Sequence, residues 1–363
     1  MLLLLPAGAR VARRRLETTG GRNARPIALT AVGLLCLSRS SGEERPLKAL
    51  PTWFDAAGDH ESRDPLAHPL LARIGHTPLV LLERIGRPDG LRVFGKLESA
   101  NPGGSVKDRA ARGIVVHAFA TGALPARRLL DASSGNTGIA YAMLGAAMGF
   151  GVTLCLPGSA SSERKRILRA YGAEVIETDP LEGSDGAILL AREMARDEAR
   201  YYYADQYSNP ENPEAHEKTT GPEILGQLGG VPLDMFVAGL GTSGTFVGTA
   251  RHLRRASPRT RLVSVEPDSP FHGLEGLKHM ASALVPAVYD PTLAHQRIGV
   301  RTEDAQEMTR RLAGEEGLLV GVSAGAAVVG ALRAGRDAGA RTVVTILCDG
   351  GERYLSESFW EAR

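Results

Sequence analysis

The chain has 363 residues, which exceeds one ordinary hydrophobic core and predicts two domains. Residues 1–45 carry eight Arg and three Glu, whereas the rest of the chain carries 35 basic and 38 acidic residues. This balanced body excludes the basic face that nucleic-acid binding requires. Three scattered cysteines exclude a disulfide framework and a paired-cysteine metal site. We therefore expect no metal and no nucleic-acid partner, and we favour a reducing cytoplasm.

Residues 1–66 differ from the rest in composition. The apolar run 27–37 follows several arginines, as in a signal peptide, but no small-residue cleavage site follows it cleanly. The run is too short to cross a membrane, so no membrane association is expected. An arginine-rich, acid-poor leader also resembles a transit peptide. We predict a disordered N-terminal extension or a start codon assigned too early.

From Leu71 onward, β-rich apolar runs alternate with helical patterns. Strands are predicted at residues 79–82, 92–97, 129–132, 152–156, 174–178, 235–238, 262–265, 318–322 and 342–347. Helices are predicted to begin near Ser105, Asn136, Ser161, Ser184, Pro213, Thr245, Thr302 and Ala324. The alternation predicts an α/β fold of two three-layer domains with mostly parallel sheets. Ligands of such sheets bind beyond the carboxyl ends of the strands, so the loops there are candidate sites.

The first candidate loop contains Lys107. A Pro-Gly-Gly turn at residues 102–104 leads into a helix, with Ser105 predicted as the N-cap and Lys107 in the first turn. A cation is poorly placed at the positive end of a helix dipole, which favours a neutral, nucleophilic amine. An ordinary surface lysine in a capped helix is the alternative.

The second candidate loop, residues 131–138, joins a predicted strand to a helix. Backbone N–H groups and hydroxyls that suit a carboxylate are offered here by Ser133, Ser134, Gly135, Asn136 and Thr137. The loop is longer than a helix cap needs, which favours an anion site. A plain N-cap with a tight turn is the alternative.

The third candidate loop follows the strand at 235–238 and is rich in glycine and hydroxyl groups. A phosphate cup is predicted from Gly241, Thr242, Ser243, Gly244 and Thr245. The spacing of Gly239, Gly241 and Gly244 also fits the dinucleotide fingerprint, and Glu266 stands where a ribose-binding acid would. A nicotinamide-dependent oxidoreductase is therefore a rival, although it leaves the first two loops without a role.

The fourth candidate loop, residues 321–326, contains Ser323. Its hydroxyl is either an N-cap or a hydrogen-bond partner for a ligand nitrogen. Pyridoxal phosphate accounts for all four loops together. It requires a lysine, a phosphate cup, a partner for its ring nitrogen and a nearby site for an amino-acid carboxylate.

Seven short motifs between residues 74 and 356 resemble the cysteine synthase and cystathionine β-synthase family, which has the tryptophan-synthase-β-like fold (fold type II). The motifs occupy residues 75–80, 101–109, 134–138, 219–224, 241–245, 321–325 and 351–356. By resemblance, Lys107 holds pyridoxal 5′-phosphate as an internal aldimine and moves the substrate α-proton, and Ser323 faces the ring nitrogen. Asn136 would bond the 3′ oxygen of the cofactor, and residues 241–245 would bind its phosphate. The substrate would be bound by Ser133, Ser134, Gly135, Asn136, Thr137, Gln206 and Gly221.

The resemblance also implies a reaction. A neutral serine at the ring nitrogen weakens the electron sink, so loss of the α-proton couples to departure of a β-leaving group. Residues 219–222 and 270–279 look most like B-type cysteine synthases. We therefore expect β-replacement through an aminoacrylate, giving L-cysteine from O-acetylserine, or O-phosphoserine, and sulfide or another sulfur donor. Serine and homocysteine condensation, as in cystathionine β-synthases, and a non-catalytic binding protein are alternatives.

Further expectations concern organisation and substrate choice. The resemblance implies a homodimer, and we place one domain at residues 101–212 with a mobile substrate-binding part. The other domain takes residues 67–100 and 213–363 and carries the phosphate cup. Lys278, His272 and Arg297 are expected to be solvated surface charges; the alternative is that they supply positive charge near the side-chain end of a substrate such as O-phosphoserine. The sequence departs from the family pattern at His76, Ser133, Ser243 and Ala324, which affects substrate choice more than reaction class.

Overall fold

The computed structural model describes residues 64–133 and 135–361. The predicted extension over residues 1–66 lies outside this range except at its end, where Pro65–Ala67 form a 3₁₀ turn. The strands are β1 (Leu79–Leu82), β2 (Arg92–Leu97), β3 (Arg128–Ala132), β4 (Val152–Pro157), β5 (Glu174–Thr178), β6 (Tyr201–Tyr203), β7 (Met235–Gly239), β8 (Arg261–Pro267), β9 (Gln296–Val300) and β10 (Thr342–Leu347). The helices are α1 (Pro69–Ala72), α2 (Lys107–Ala120), α3 (Asn136–Met148), α4 (Ser162–Ala170), α5 (Gly183–Met194), α6 (Glu211–Lys218), α7 (Thr220–Gln227), α8 (Gly244–Ala256), α9 (Thr302–Glu316) and α10 (Val322–Ala338).

The larger sheet has six strands in the order β1-β2-β10-β7-β8-β9. Only β1 runs antiparallel to its neighbour; the other pairs in this sheet are parallel. In the middle of the sheet, Val343 of β10 lies opposite Val93 of β2 on one side and Met235 of β7 on the other. The carboxyl ends of β2, β7 and β10 therefore lie at the same end of the sheet, where the lysine turn follows β2 and the predicted phosphate cup follows β7.

The smaller sheet has four parallel strands in the order β5-β4-β3-β6. Its register places Asp131 of β3 opposite Leu154 of β4, and Leu130 opposite Tyr203 of β6. Every residue of β4 is buried, as expected for a parallel strand covered by helices on both faces. The asparagine loop, residues 133–138, leaves the carboxyl end of central strand β3.

Neighbouring residues along each central strand face different cores. In β7, Met235 and Val237 pack with α9 and α10, whereas Phe236 packs on the other face with α7 and α8. In β3, Leu129 packs with α2 and α3, whereas Leu130 packs with α5. This period of two gives each sheet a helical layer on either face, as an α/β fold requires. The predicted α/β architecture in two domains is confirmed.

The predicted strand at residues 318–322 is wrong. Val320 makes one antiparallel bridge to Gly350, and α10 begins two residues later at Val322. The N–H of Gly321 donates to the carbonyl oxygen of Asp349 over 3.2 Å, so this apolar run lies against the segment after β10. Strand β9 was not predicted. Residues 296 to 299 of this edge strand are half-buried or exposed, so the sequence there lacks the apolar run that indicates a buried strand.

Candidate active site

Lys107 is the first residue of α2 and follows a tight turn after β2. Gly104 has a φ of +78°, a left-handed conformation that favours glycine. Val106, not Ser105 as predicted, is the N-cap residue, although Ser105 Oγ still accepts the N–H of Lys107 over 3.2 Å. The N–H of Val106 donates to the carbonyl oxygen of Cys348 over 2.8 Å, which ties the turn to the end of β10.

Buried charged side chains of α2 hold the lysine turn in place. Asp108 Oδ2 accepts the N–H of Gly103 over 2.5 Å, and burial raises the pKa of Asp108 to about 7. Arg109 donates to Glu98 through Nε over 2.8 Å and to Glu223 through Nη1 over 2.8 Å. These bonds link the helix of Lys107 to the end of β2 and to α7, so the lysine sits on rigid elements.

The asparagine loop is held by its own hydroxyl groups. Ser133 Oγ accepts the N–H of Gly138 over 2.9 Å, which closes the loop over the start of α3. Thr137 Oγ1 donates to Gln206 Oε1 over 2.7 Å, and Gln206 Nε2 donates to the carbonyl oxygen of Ala132 over 2.9 Å. Ser134 lies outside the described residues. The helix start leaves backbone N–H groups free for an anion.

The predicted phosphate cup connects β7 to α8. Ser243, the N-cap of α8, has a left-handed φ of +72°, and its buried Oγ has no hydrogen-bond partner among residues 64–133 and 135–361. Gly241 packs so closely on the carbonyl oxygen of Gly276 that a side chain there would collide with it. Thr242 Oγ1 accepts from Asn212 over 3.0 Å, and Thr245 Oγ1 lies 3.2 Å from His216 Nε2. Hydroxyl groups and backbone N–H groups at a helix start are chemically suited to a small anion.

A cavity of about 470 Å³ joins the first three loops. Its lining includes the predicted site residues Lys107, Ser133, Gly135, Asn136, Thr137, Gln206, Gly241 and Thr242. A smaller cavity of about 30 Å³ shares Lys107, Asn136, Gly241 and Thr242 with the larger one. The smaller cavity adds Ser243, Thr245 and Ser323 to the lining. The structure therefore brings the four candidate loops to one place.

Two predicted site residues line neither cavity. Gly221 lies in α7 and packs against the side chain of His252. Gly244 is the first residue of α8, where it packs against Asn212. Its position beside Ser243 still offers a backbone N–H group at the helix start.

Charged side chains also line the larger cavity, and the sequence analysis named some of them. Lys278 and His272 line this cavity, whereas Arg297 does not and lies over the ring of Tyr289, 5.7 Å from its centroid. Arg164 of α4 also lines the cavity, and its Nη2 donates to Glu275 Oε2 over 2.8 Å. No motif marks this buried arginine.

Other lining residues follow β10. Asp349 and Tyr354 lie beside Lys107 in the smaller cavity, and the carboxyl end of a parallel strand is the signal that could have found them. Cys348 packs at the edge of a core cluster and also lines the smaller cavity. Burial raises the pKa of its thiol to about 11, so the thiol is protonated at neutral pH.

Fold and site together define an α/β protein whose cavities are lined by a lysine and by a hydroxyl-rich helix start. Residues 70–349 match the family model described as pyridoxal-phosphate dependent enzyme, and the chain belongs to this family. The predicted family, fold and cofactor are thereby confirmed. No helix among the described residues is long and apolar enough to cross a membrane.

Curated relatives and solved structures cover most of the chain. It is 43% identical over 300 residues to a cysteine synthase of Aquifex aeolicus, covering 80% of this chain and 91% of the relative. It is also 43% identical over 285 residues to cysteine synthase B of Escherichia coli, covering 78% and 93%. The crystal structure of an O-ureido-L-serine synthase superposes with a TM-score of 0.75 at 39% identity, covering 81% of this chain and 95% of that chain.

The residues present fit pyridoxal phosphate. The unpartnered Oγ of Ser243 and the free N–H groups at the start of α8 suit its phosphate. Lys107 and Ser323 line the cavity next to that cup, where an amine and a neutral hydroxyl can meet the ring. Glu266, the acid of the nicotinamide alternative, accepts the N–H of Met280 over 3.0 Å within its own domain. The family assignment favours pyridoxal phosphate over that alternative.

Proposed function

We propose that this enzyme makes L-cysteine from O-acetylserine and sulfide by β-replacement. The observation that carries the proposal is that Lys107 lines both cavities, together with the hydroxyl-rich start of α8 and the start of α3. The cysteine synthase relatives, each matched over more than nine-tenths of its length, support the same reaction. O-ureido-L-serine, named in the solved neighbour, is also a serine substituted at its β-oxygen.

The chain contributes binding, orientation and proton transfer. Bound pyridoxal phosphate supplies an electron sink for the bonding pair left when the α-proton departs. We assign that proton to the amine of Lys107, the basic side chain shared by both cavities. We assign the cofactor phosphate to residues 241–245 and the ring nitrogen to Ser323, whose neutral hydroxyl leaves the ring a weaker sink.

The asparagine loop orients the amino-acid substrate in this proposal. The N–H groups at the start of α3, including that of Thr137, would hold the carboxylate together with the hydroxyl of Ser133. Gln206 fixes Thr137 through its 2.7 Å bond and lines the cavity itself. Holding the carboxylate there places the α-carbon near Lys107, so that orientation accounts for much of the rate enhancement.

The β-leaving group would face the part of the larger cavity's lining that carries Lys278, His272 and Arg164. The cations there are already paired, since Lys278 Nζ lies 3.6 Å from Asp185 and Arg164 donates to Glu275. A neutral acetyl ester suits such a compensated end better than a phosphate dianion, which would need free cations. This compensation favours O-acetylserine over O-phosphoserine.

The experiment compares kcat/KM for O-acetylserine with sulfide, O-phosphoserine with sulfide, and serine with homocysteine. We expect O-acetylserine to exceed both others by at least about tenfold, because each tenfold step requires only about 1.4 kcal/mol of differential transition-state binding. A higher value for O-phosphoserine or for serine with homocysteine would refute the substrate assignment. No cysteine from any pair would refute the function.

We also propose a homodimer in the cytoplasm, with residues 101–212 as the domain that closes over substrate. The free thiols of Cys155 and Cys348 support a reducing compartment. All four strands of the smaller sheet fall between residues 128 and 203, which supports the proposed domain. Size-exclusion chromatography with light scattering tests the dimer, and a monomer mass would overturn it.

A further inference from the structure

Arg353 contacts two of the candidate loops at once. It lies in the 3₁₀ turn Gly351–Tyr354, which follows β10. Its Nη1 donates to Oδ1 of Asn136 at the start of α3, and its Nη2 donates to the carbonyl oxygen of Gly103 in the lysine turn. One guanidinium therefore links the end of the larger sheet, the lysine turn and the asparagine loop.

Asp349 holds the other end of the same Asn136 amide. Asn136 Nδ2 donates to Asp349 Oδ2 over 2.7 Å, and the Tyr354 hydroxyl donates to the same oxygen over 2.5 Å. The backbone of Asp349 is fixed as well, by the N–H of Gly321 and by its bridge to Ser105. Contacts other than the one with Asn136 therefore hold Asp349 in place.

These two partners determine which way the amide faces. A guanidinium only donates and a carboxylate only accepts, so the carbonyl of Asn136 must face Arg353 and its NH₂ group must face Asp349. The reversed amide would oppose donor to donor and acceptor to acceptor. Asp349 uses one N–H of Asn136, whose side chain lines both cavities. The second N–H is left for a ligand.

We propose that Arg353 is a positioning residue for the cofactor, acting through Asn136. By binding the Asn136 carbonyl, it makes the amide present a donor, and not an acceptor, to the ring oxygen of pyridoxal phosphate. Its second bond, to Gly103, keeps that donor in register with the turn that carries Lys107. The inference rests on the proposed placement of Asn136 beside the cofactor.

The test measures the dissociation constant of pyridoxal phosphate from the full-length holoenzyme by equilibrium dialysis, together with the position of the visible absorption band. Arg353→Met removes both donors and is expected to raise the Kd at least about tenfold and to shift the band. Arg353→Lys keeps the charge and one donating nitrogen in place of two, and its Kd should fall between those of wild type and Arg353→Met. The control Arg336→Met removes an exposed arginine paired with Asp89 and should leave Kd and band unchanged.

The same change in an Asn136→Ala background separates positioning from general support. If Arg353 acts through Asn136, adding Arg353→Met there should change the Kd by less than about twofold. An equal effect in both backgrounds, or a wild-type Kd and band for folded Arg353→Met, would overturn the proposal. If thermal melting shows that Arg353→Met does not fold, Arg353→Lys is judged by the same two criteria. Cofactor binding does not depend on which substrate the enzyme uses. If the enzyme made no cysteine but the effect of Arg353→Met on the Kd still depended on Asn136, only the proposed function would be overturned.

Discussion

Glu223 lies at the centre of the buried charges under the lysine turn. Its two oxygens accept from Nη1 and Nη2 of Arg109 over 2.8 Å each, and Oε2 lies 2.7 Å from Nζ of Lys96. The side chains of Lys96, Arg109 and Glu223 are 0%, 1% and 11% exposed. Glu223→Gln would leave Lys96 without its close carboxylate and Arg109 with Glu98 alone. Buried charges that lose a partner are strongly destabilising.

The size of this effect follows from the pKa of Glu223. Burial alone would raise that pKa, but the hydrogen bonds and charges of Arg109 and Lys96 outweigh burial and lower it from 4.5 to about 2. At about 1.36 kcal/mol per pKa unit, this corresponds to about 3 kcal/mol of stability at neutral pH. The folded pKa lies below the unfolded value, so the stabilisation is present above about pH 4.5 and is lost as the pH falls towards 2.

Urea unfolding followed by circular dichroism measures the difference. Glu223→Gln should lower the free energy of unfolding by about 3 kcal/mol at pH 7, and the gap to wild type should shrink below about pH 4.5. The matched control is Glu315→Gln, which breaks a half-exposed pair with Arg311 on α9 and should change stability by no more than about 0.5 kcal/mol. A loss for Glu223→Gln no larger than that of the control would refute the reasoning.

Three further predictions concern the site and its support. Lys107→Ala should lower kcat by about 10²–10⁴-fold, the range expected for losing a general base, while the melting temperature stays that of wild type. Near-normal turnover of this variant would contradict the role of Lys107. The raised pKa of Asp108 makes wild type less stable as the pH rises from about 4 to about 7, so Asp108→Asn should abolish that part of the pH dependence of urea unfolding. An unchanged slope would show that Asp108 does not titrate there. In α10, Gly325→Ala would collide with the backbone of Ala305 and should lower stability by about 1–3 kcal/mol, whereas Gly314→Ala meets open space and should not; equal effects would contradict the packing argument.

The parts of the site with a local signature could be predicted from the sequence. Lys107, the asparagine loop and residues 241–245 each follow a recognisable strand and begin a helix, and the structure places them around one cavity. Glycine and hydroxyl residues at those turns indicate an anion because they expose backbone N–H groups. The same reasoning also produced the dinucleotide fingerprint. A glycine spacing alone does not show which anion a helix start binds.

The remaining contacts depend on pairings between distant parts of the chain. Arg353 meets Asn136 across 217 positions, and Arg164 meets Glu275 across 111, so no periodic pattern brings them together. The run at 318–322 has the composition of a buried strand, yet it pairs with the segment after β10 because α10 starts immediately afterwards. The strand propensity of a short segment does not show which distant segment it will pair with in the folded chain.

The central claim is that Lys107 carries pyridoxal phosphate, and borohydride reduction of the holoenzyme tests it most directly. Reduction converts a lysine–cofactor linkage into a stable secondary amine, which peptide mass spectrometry can locate. We predict a pyridoxyl group on the peptide that contains Lys107, and none when reduction follows displacement of the lysine by saturating O-acetylserine. Labelling of Lys96, Lys278 or another lysine in its place, or no label in protein that retains its visible band, would contradict the assignment.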